Sequence, residues 1–396
     1  MTRRERLARN PRLLFWAKVL CETKSLNAFI TIFYLARGVS LSQTVYLSAV
    51  YAAVSVLLEV PSGYLADRIG RRKTMLLGVL CLMAAQVVYL VAHGFPAFVV
   101  AFIFLAAGGA CFSGTEEALL FDSLKEIGEE QTMTRHNSRY LSARNLPKIF
   151  IPALGAFVAH GLLEWQLQAL IGFDLITAFF AGIVLMRVVE PEHAMSVAAV
   201  ERGIYRESLS TLREHRWLLA ATINKVIPMT VGLMIWRVYQ PYLLDHGATI
   251  IGLGVLYIGM HSAMFSLRWL TEHLETRFGV SRMLNLTVFL MVVCQVVAVF
   301  LSSPWLLGLM FAGVFVIQSV REPLYSYWVN QHIASRSRAT TLSHLNLLKS
   351  LSDIPVLLLA GWMAALDPRY VFVFGALLCL LVLVFFRVKP QDRGVL

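Results

Sequence analysis

Apolar residues run through this chain in long blocks, and polar residues gather in the short gaps between them. The blocks fall near residues 13–36, 43–66, 74–92, 96–121, 140–160, 166–186, 217–243, 248–270, 283–301, 304–328, 340–363 and 369–387. A helix needs about 20 apolar residues to cross the hydrocarbon core of a bilayer. Each block has that length or close to it, so the pattern predicts an all-α membrane protein with twelve transmembrane helices.

The chain also echoes itself. Leu141-Ser142-Ala143-Arg144-Asn145-Leu146-Pro147-Lys148 in the fifth block matches Leu342-Ser343-His344-Leu345-Asn346-Leu347-Leu348-Lys349 in the eleventh at five of eight positions. Leu65-Ala66-Asp67-Arg68-Ile69-Gly70 is echoed by Leu274-Glu275-Thr276-Arg277-Phe278-Gly279. Both offsets are near half the chain, which predicts two pseudo-symmetric six-helix bundles about an axis along the membrane normal. The expected division is an N-terminal bundle at 1–188, a cytoplasmic linker at 189–216 and a C-terminal bundle at 217–396. In the linker, Ile204, Leu209, Leu212 and Trp217 recur at roughly helical spacing among Arg206, Arg213 and Arg216. That pattern suits an interfacial amphipathic helix or a solvated connection equally.

Composition agrees with lipid as the solvent. At 58% hydrophobic and 15% charged residues over 396 positions, with mean hydropathy +0.66, there is too little polar surface to clothe a soluble globule. The net charge of +11 would suit nucleic acid, but the basic residues are sorted by side instead. Arg3, Arg4, Arg6, Arg9 and Arg12 precede the first block, Arg68, Arg71, Arg72 and Lys73 follow the second, and Lys125, Arg135 and Arg139 follow the fourth. Arg187, Arg202, Arg206, Arg213, Arg216, Arg277, Arg282, Arg336, Arg338, Arg387, Lys389 and Arg393 continue the series, and Arg37 and Arg369 alone fall opposite. By the positive-inside rule both termini are expected in the cytoplasm, with the chain in the cytoplasmic (inner) membrane. The first block is too long for a signal peptide and lacks a small-residue cleavage site. Cys21, Cys81, Cys111, Cys294 and Cys379 stand singly in apolar blocks, so neither a disulfide framework nor a zinc site is expected.

Gly63-Tyr64-Leu65-Ala66-Asp67-Arg68-Ile69-Gly70-Arg71-Arg72-Lys73 ends the second block. Gly63 lets a neighbouring helix approach, Gly70 permits a tight turn, and Asp67 can pair with Arg71 or face a helix N-terminus. The segment resembles the signature G-x-L-A-D-R-x-G-R-R-K of the major facilitator superfamily, and bacterial proton-coupled drug-efflux members in particular. The resemblance implies alternating access and a conformational latch, a charge relay from Asp67 through Arg71 to Asp122, with Arg68 and Arg72 beside it. The echo at Gly279 has Thr276 in place of the acid and Val280 in place of Arg71, so no second latch is expected. Pro152-Ala153-Leu154-Gly155-Ala156 is similar in part to the Gly-Pro-x-x-Gly-Gly element of the exporter branch, although a kink with close helix packing explains it better.

Charges inside the blocks are the other signal. Insertion scales put a central charge at about 2.5–3.5 kcal/mol, so each must pair, line water or sit near a helix end. Lys18 and Glu22, four apart, share a helical face. Glu22, Glu117, Glu322 and Asp353 are candidates for proton coupling, Glu117 and Glu322 because they hold corresponding places in the two halves. Lys148 and Lys349, identical in the repeat, could neutralise Glu117 and Glu322 or hold an anionic substrate. Arg321 could neutralise an acid or contact substrate. Arg237 amid Trp236, Tyr239, Gln240 and Tyr242 suits either a binding wall or an arginine in an interfacial aromatic belt. His261 and His344 are isolated and read as packed side chains.

No Walker loop, zinc signature, dinucleotide fingerprint or nucleophile-base cluster occurs in the sequence. An enzyme, a cofactor and a bound metal are therefore not expected, and an ion gradient becomes the expected energy source. The favoured reading is a monomeric, proton-coupled secondary transporter that exports small amphipathic molecules, with protons, the substrate and lipid as partners. The surplus of membrane cations keeps open an importer of an organic anion or siderophore-like compound. A non-transporting membrane receptor or scaffold on the same fold is the third reading.

Overall fold

Residues 2–192, 216–332 and 338–388 are described in a computed structural model, and every regular element among them is helical. The amphipathic segment expected around Ile204, Leu209 and Leu212 lies outside the described residues, as do Arg202, Arg206, Arg213, Arg336, Lys389 and Arg393.

The short α1 (Arg3–Leu7) leads into a first crossing made of α2 (Asn10–Cys21) and α3 (Ile30–Ala36). α4 (Leu41–Ile69) and α5 (Arg71–Val91) follow, and the fourth crossing is α6 (Gly94–Phe112) with α7 (Thr115–Glu126). α8 (Met133–Val158) and α9 (Glu164–Met186) complete the first six. The second six are α10 (Arg216–Asp245), α11 (Ile250–Phe278), α12 (Val280–Phe300), α13 (Pro304–His332), α14 (Arg338–Leu366) and α15 (Pro368–Phe385). Among the described residues, 9 helical stretches are long and apolar enough to cross a membrane by composition alone. The remaining crossings are the first, fifth and eleventh, which carry Lys18, Glu22 and Lys24, then Arg144 and Lys148, then Lys349 and Asp353.

The backbone repeats more faithfully than the side chains. α4 and α11 each have 29 residues, and α5 and α12 each have 21. Between the members of each pair sits a glycine with positive φ, Gly70 at +97° and Gly279 at +78°. An L side chain is strained there, so the echo keeps the glycine although it loses Asp67 and Arg71.

The chain divides into two compact units. The first takes Met1–Ser40, Val50–Val197 and Leu253–Tyr257; the second takes Leu41–Ala49, Ala198–Gly252 and Ile258–Leu396. In the first unit α5 packs on α6 and α9, and α2 on α8 and α9. Leu7, Leu14, Ala17 and Cys21 join Met75, Val79, Leu119, Leu124 and Leu185 in one buried cluster. In the second unit α12 packs on α13 and α15, and α10 on α13, α14 and α15. Each unit ties down the segment after its sixth helix with an asparagine amide. Asn10 donates to Val189 O (2.7 Å) and accepts from Val189 N (3.0 Å), and Asn285 does the same for Val388 (2.8 and 3.1 Å).

The first crossing is not one continuous helix. Helical structure stops at Cys21 and resumes at Ile30, and the exposed backbone of the break is met by neighbours, as lipid demands. Asp174 of α9 accepts the Ser25 N–H with both carboxylate oxygens (2.9 and 3.1 Å), and Ser25 Oγ donates to Leu170 O (3.2 Å). Gly155 of α8 lets the break approach, because a Cβ there would collide with the Ser25 carbonyl. The element read as similar to the exporter pattern therefore has a packing role at this glycine. Gly155→Ala should force the break and α8 apart, at about 1–3 kcal/mol. A fall in melting temperature of the purified protein measures this, and an unchanged value would refute the contact.

Candidate functional site

Glu22 closes the helical part of the first crossing, its N–H donating to Lys18 O at 2.9 Å, and stands in a polar centre of the first unit. Lys18 Nζ lies 3.0 Å from Glu116 of α7 and 3.5 Å from Glu22, and Lys148 Nζ of α8 lies 3.1 Å from Glu22. Tyr140 Oη of α8 donates to Glu116 Oε2, the oxygen 3.0 Å from Lys18, whose Nζ also reaches Oε1 at 3.1 Å. The Lys18 ammonium also stands 5.6 Å from the centroids of both the Phe112 and Tyr140 rings. The side chains of Lys18 and Glu116 are 12% and 16% exposed, dry enough for these pairs to count far beyond surface ion pairs. Arg144, one turn before Lys148, is exposed and within electrostatic reach of Glu22, Lys148 and Tyr51.

The expected pairings differ from these. Lys148 meets Glu22, not Glu117. Glu117 is exposed, on the same helical stripe as the exposed Phe121, whereas Glu116 lies one turn before the buried Leu119 and Leu120. The signal was present in the sequence: Leu119, Leu120, Leu124 and Ile127 mark the buried face, and Glu116 extends it. Glu322 is displaced in the same way. Arg321, Leu324, Tyr325 and Trp328 form the buried stripe of α13, and Glu322 points away from it into an exposed position.

In the second unit the repeat-related lysine takes a different acid. Lys349 Nζ lies 2.7 Å from Asp353 one turn along α14, and Asp353, 2% exposed, also accepts from Thr230 Oγ1 of α10. The Lys225 ammonium sits 4.5 Å over the ring of Tyr325. Arg321 makes no ion pair among the described residues. Its guanidinium donates to Leu284 O and Thr287 Oγ1 (both 2.6 Å) and to Asn224 O and Oδ1, which binds α10, α12 and α13 together. Tyr239 and Gln240 are likewise interior, 2% and 0% exposed, with Gln240 Nε2 donating to Tyr239 Oη at 3.2 Å. Arg237 is half-buried, and its Nε donates to Ser48 Oγ of the second unit at 2.8 Å.

The motif segment closes the α4–α5 turn. Arg71 pairs with Asp122 of α7, while Gly63, Asp67 and Arg68 are exposed and Asp67 has no hydrogen bond or ion pair among the described residues. Two of the three relay members are therefore joined. The first amides of α5 carry the positive end of the helix dipole, and Glu190, which the sequence reading missed, caps them. Its carboxylate accepts from Arg71 N (2.7 Å) and Arg72 N (2.8 Å), and Arg72 Nη1 donates to Val188 O (3.1 Å). Gly70 makes room for it, since a Cβ there would come within 3.1 Å of the Glu190 carboxyl carbon. Arg3 fastens the same corner, with Nε 2.6 Å from Glu126 and 3.5 Å from Glu192, and the Glu126 hydrogen bond pushes the Arg3 pKa further up. No short motif would have flagged Glu190, because it lies 119 residues from the amide it caps.

Two sets of helices, most of them long and apolar enough to cross a bilayer, define a multi-pass membrane protein. Residues 19–355 match the model of the Major Facilitator Superfamily, and the chain belongs to that family. Among solved structures, a D-xylose-proton symporter aligns with TM-score 0.72 at 14% identity, covering 98% of each chain. The nucleoside transporter NupG aligns with TM-score 0.74 at 10% identity over 96% of this chain and 98% of its own. A bacterial homolog of the human lysosomal transporter Spinster, in an inward-facing conformation, gives 0.72 at 14% over 98% and 97%. At these identities the likeness establishes the fold alone. No curated protein sequence matches the chain at a significant level.

The shared lysine makes the centre cooperative. Lys18→Met leaves Glu116 and Glu22 short of a counter-charge and should destabilise the protein by on the order of 3 kcal/mol. Lys18→Met combined with Glu116→Gln should recover much of that loss in a thermal-unfolding assay. A double variant no more stable than the single one would show that the two groups are not coupled.

Proposed function

We propose that this chain is a proton-coupled secondary transporter that exports small amphipathic molecules by alternating access. The observation that carries the reading is the placement of Lys18 between two membrane carboxylates, each with a second partner, Lys148 for Glu22 and Tyr140 for Glu116. Protonating either acid frees Lys18 to commit to the other, so one proton redistributes contacts among α2, α7 and α8. That is the behaviour required of a site that couples proton binding to a change of conformation. Glu116 and Glu22 are the coupling acids of the first unit and Asp353, paired with Lys349, that of the second.

On this reading the bundles 1–188 and 217–396 rock about the linker 189–216, and the Gly63–Arg72 segment with Asp122 acts as the latch. The protein works as a monomer in the cytoplasmic membrane with both termini in the cytoplasm. The charged Arg144 beside the centre favours one alternative, uptake of an organic anion, because it leaves the centre with three cations, Lys18, Lys148 and Arg144, against two acids, Glu22 and Glu116.

Liposomes holding the purified protein and an internal pH-sensitive dye separate these readings. An ethidium gradient should drive counterflow of protons in the parent, Glu116→Gln should abolish it, and Arg71→Gln should slow it at least about tenfold, the loss of one strong ion pair. Ethidium movement indifferent to the proton gradient, or full activity in Asp67→Asn, would overturn the proposal. Uptake of an organic anion that depends on Arg144 and ignores Glu116→Gln would favour the alternative.

A further inference from the structure

The first sixteen residues carry charge that the proposed coupling does not involve. α1 and α2 form nearly one rod, since Ala8 (φ −60°, ψ −16°) and Arg9 (φ −86°, ψ −18°) between them keep right-handed helical backbone. Around that rod, at about 100° per residue, Leu7, Asn10, Leu14, Ala17 and Cys21 share one side, and all are buried. Arg9, Arg12 and Trp16 fall together on the opposite side, and all are exposed.

The basic residues of the rod divide by partner. Arg3 is held by Glu126, Glu192 and the Glu190 carbonyl, and Arg4 donates to Ile127 O at 3.2 Å. These bonds and the burial of Leu7 fix the rod against the first unit. The guanidinium groups of Arg9 and Arg12 make no hydrogen bond or ion pair with any described residue. Trp16, 48% exposed, presents its indole beside Phe15, with ring centroids 5.3 Å apart.

Tryptophan concentrates where hydrocarbon meets headgroups. With Trp16 at that boundary, a rise of about 1.5 Å per residue sets Arg12 about 6 Å and Arg9 about 10 Å outward. The headgroup layer is roughly 5–7 Å deep on each side of the hydrocarbon core, and an arginine side chain can bend several ångströms along the helix. Both guanidinium groups therefore reach it. A guanidinium binds phosphate oxygens in a fork, and a stripe that ends in an indole asks for a ligand with an apolar body below its anion.

We propose that Arg9, Arg12 and Trp16 form a docking surface for the phosphodiester headgroup of an anionic phospholipid, in the leaflet that holds the N-terminal end of the chain. The phosphate bridges Arg9 and Arg12 while the upper acyl chain lies on Trp16. A lipid so placed braces the rod that carries Lys18 at its far end. The surface depends on membrane insertion and not on proton coupling, so either idea can fail without the other.

The test uses the full chain in vesicles of POPC with increasing fractions of POPG or POPC brominated in an acyl chain. The emission lost in Trp16→Phe reports the share from Trp16. Brominated POPG should quench that share at lower mole fraction than brominated POPC, and Arg9→Gln and Arg12→Gln should each reduce the preference roughly fivefold. An Arg9→Lys, Arg12→Lys variant, which keeps the charge, should retain part of the preference and guards against a folding defect. Equal quenching by the two lipids in the parent, or an unchanged preference in the double glutamine variant, overturns the proposal. Loss of the preference on adding inorganic phosphate would overturn the lipid assignment in favour of a soluble anion.

Discussion

An ammonium removed from water must be matched by negative charge, and in the first unit Lys18 meets that requirement with two carboxylates at once. The surrounding architecture follows from it. Glu22 stands between Lys18 and Lys148 at the end of the helix, just before the first crossing breaks. The break is tolerable in an apolar setting because Asp174 accepts its amide and Gly155 leaves space for its carbonyl. Tyr140 adds a hydrogen bond to the Glu116 oxygen that Lys18 also contacts. Removal of any one of these groups strands a charge or a backbone dipole where lipid cannot solvate it.

The second unit shares the backbone plan and differs in its chemistry. α4 and α11, and α5 and α12, agree in length, and both turns between them keep a glycine with positive φ. Lys148 and Lys349 occupy matching places in the repeat, yet one reaches across to another helix and the other pairs with an acid on its own. Asp174 and Arg321 show a related division of labour. Each is a buried charge on a crossing helix, but Asp174 holds a backbone amide and Arg321 holds carbonyl and polar side-chain oxygens of neighbouring helices, so both tie the scaffold together. Buried charge alone therefore does not single out a transport site in this protein.

The fold-bearing features were legible because they are local or periodic. Block length and the basic residues between blocks are properties of contiguous sequence, and the glycine at a tight turn is required wherever that turn occurs. The ion-pair network was only partly legible. Lys18 and Glu22 are one turn apart and could be paired on spacing, whereas Lys18 with Glu116 spans 98 residues and Arg71 with Glu190 spans 119. The choice between Glu116 and Glu117 rested on which face of α7 is buried, and the apolar residues that follow would have given it.

By itself the sequence determined that the chain crosses a membrane about twelve times in two related halves, and that it carries the facilitator motif. Lipid enforces helices on apolar segments whatever their neighbours, so no tertiary information is needed for that much. Tertiary structure alone decided which carboxylate faces which cation. An ion pair is set by the distance between atoms on different helices, and that distance depends on how each helix is rotated and broken, which no spacing along a single segment records.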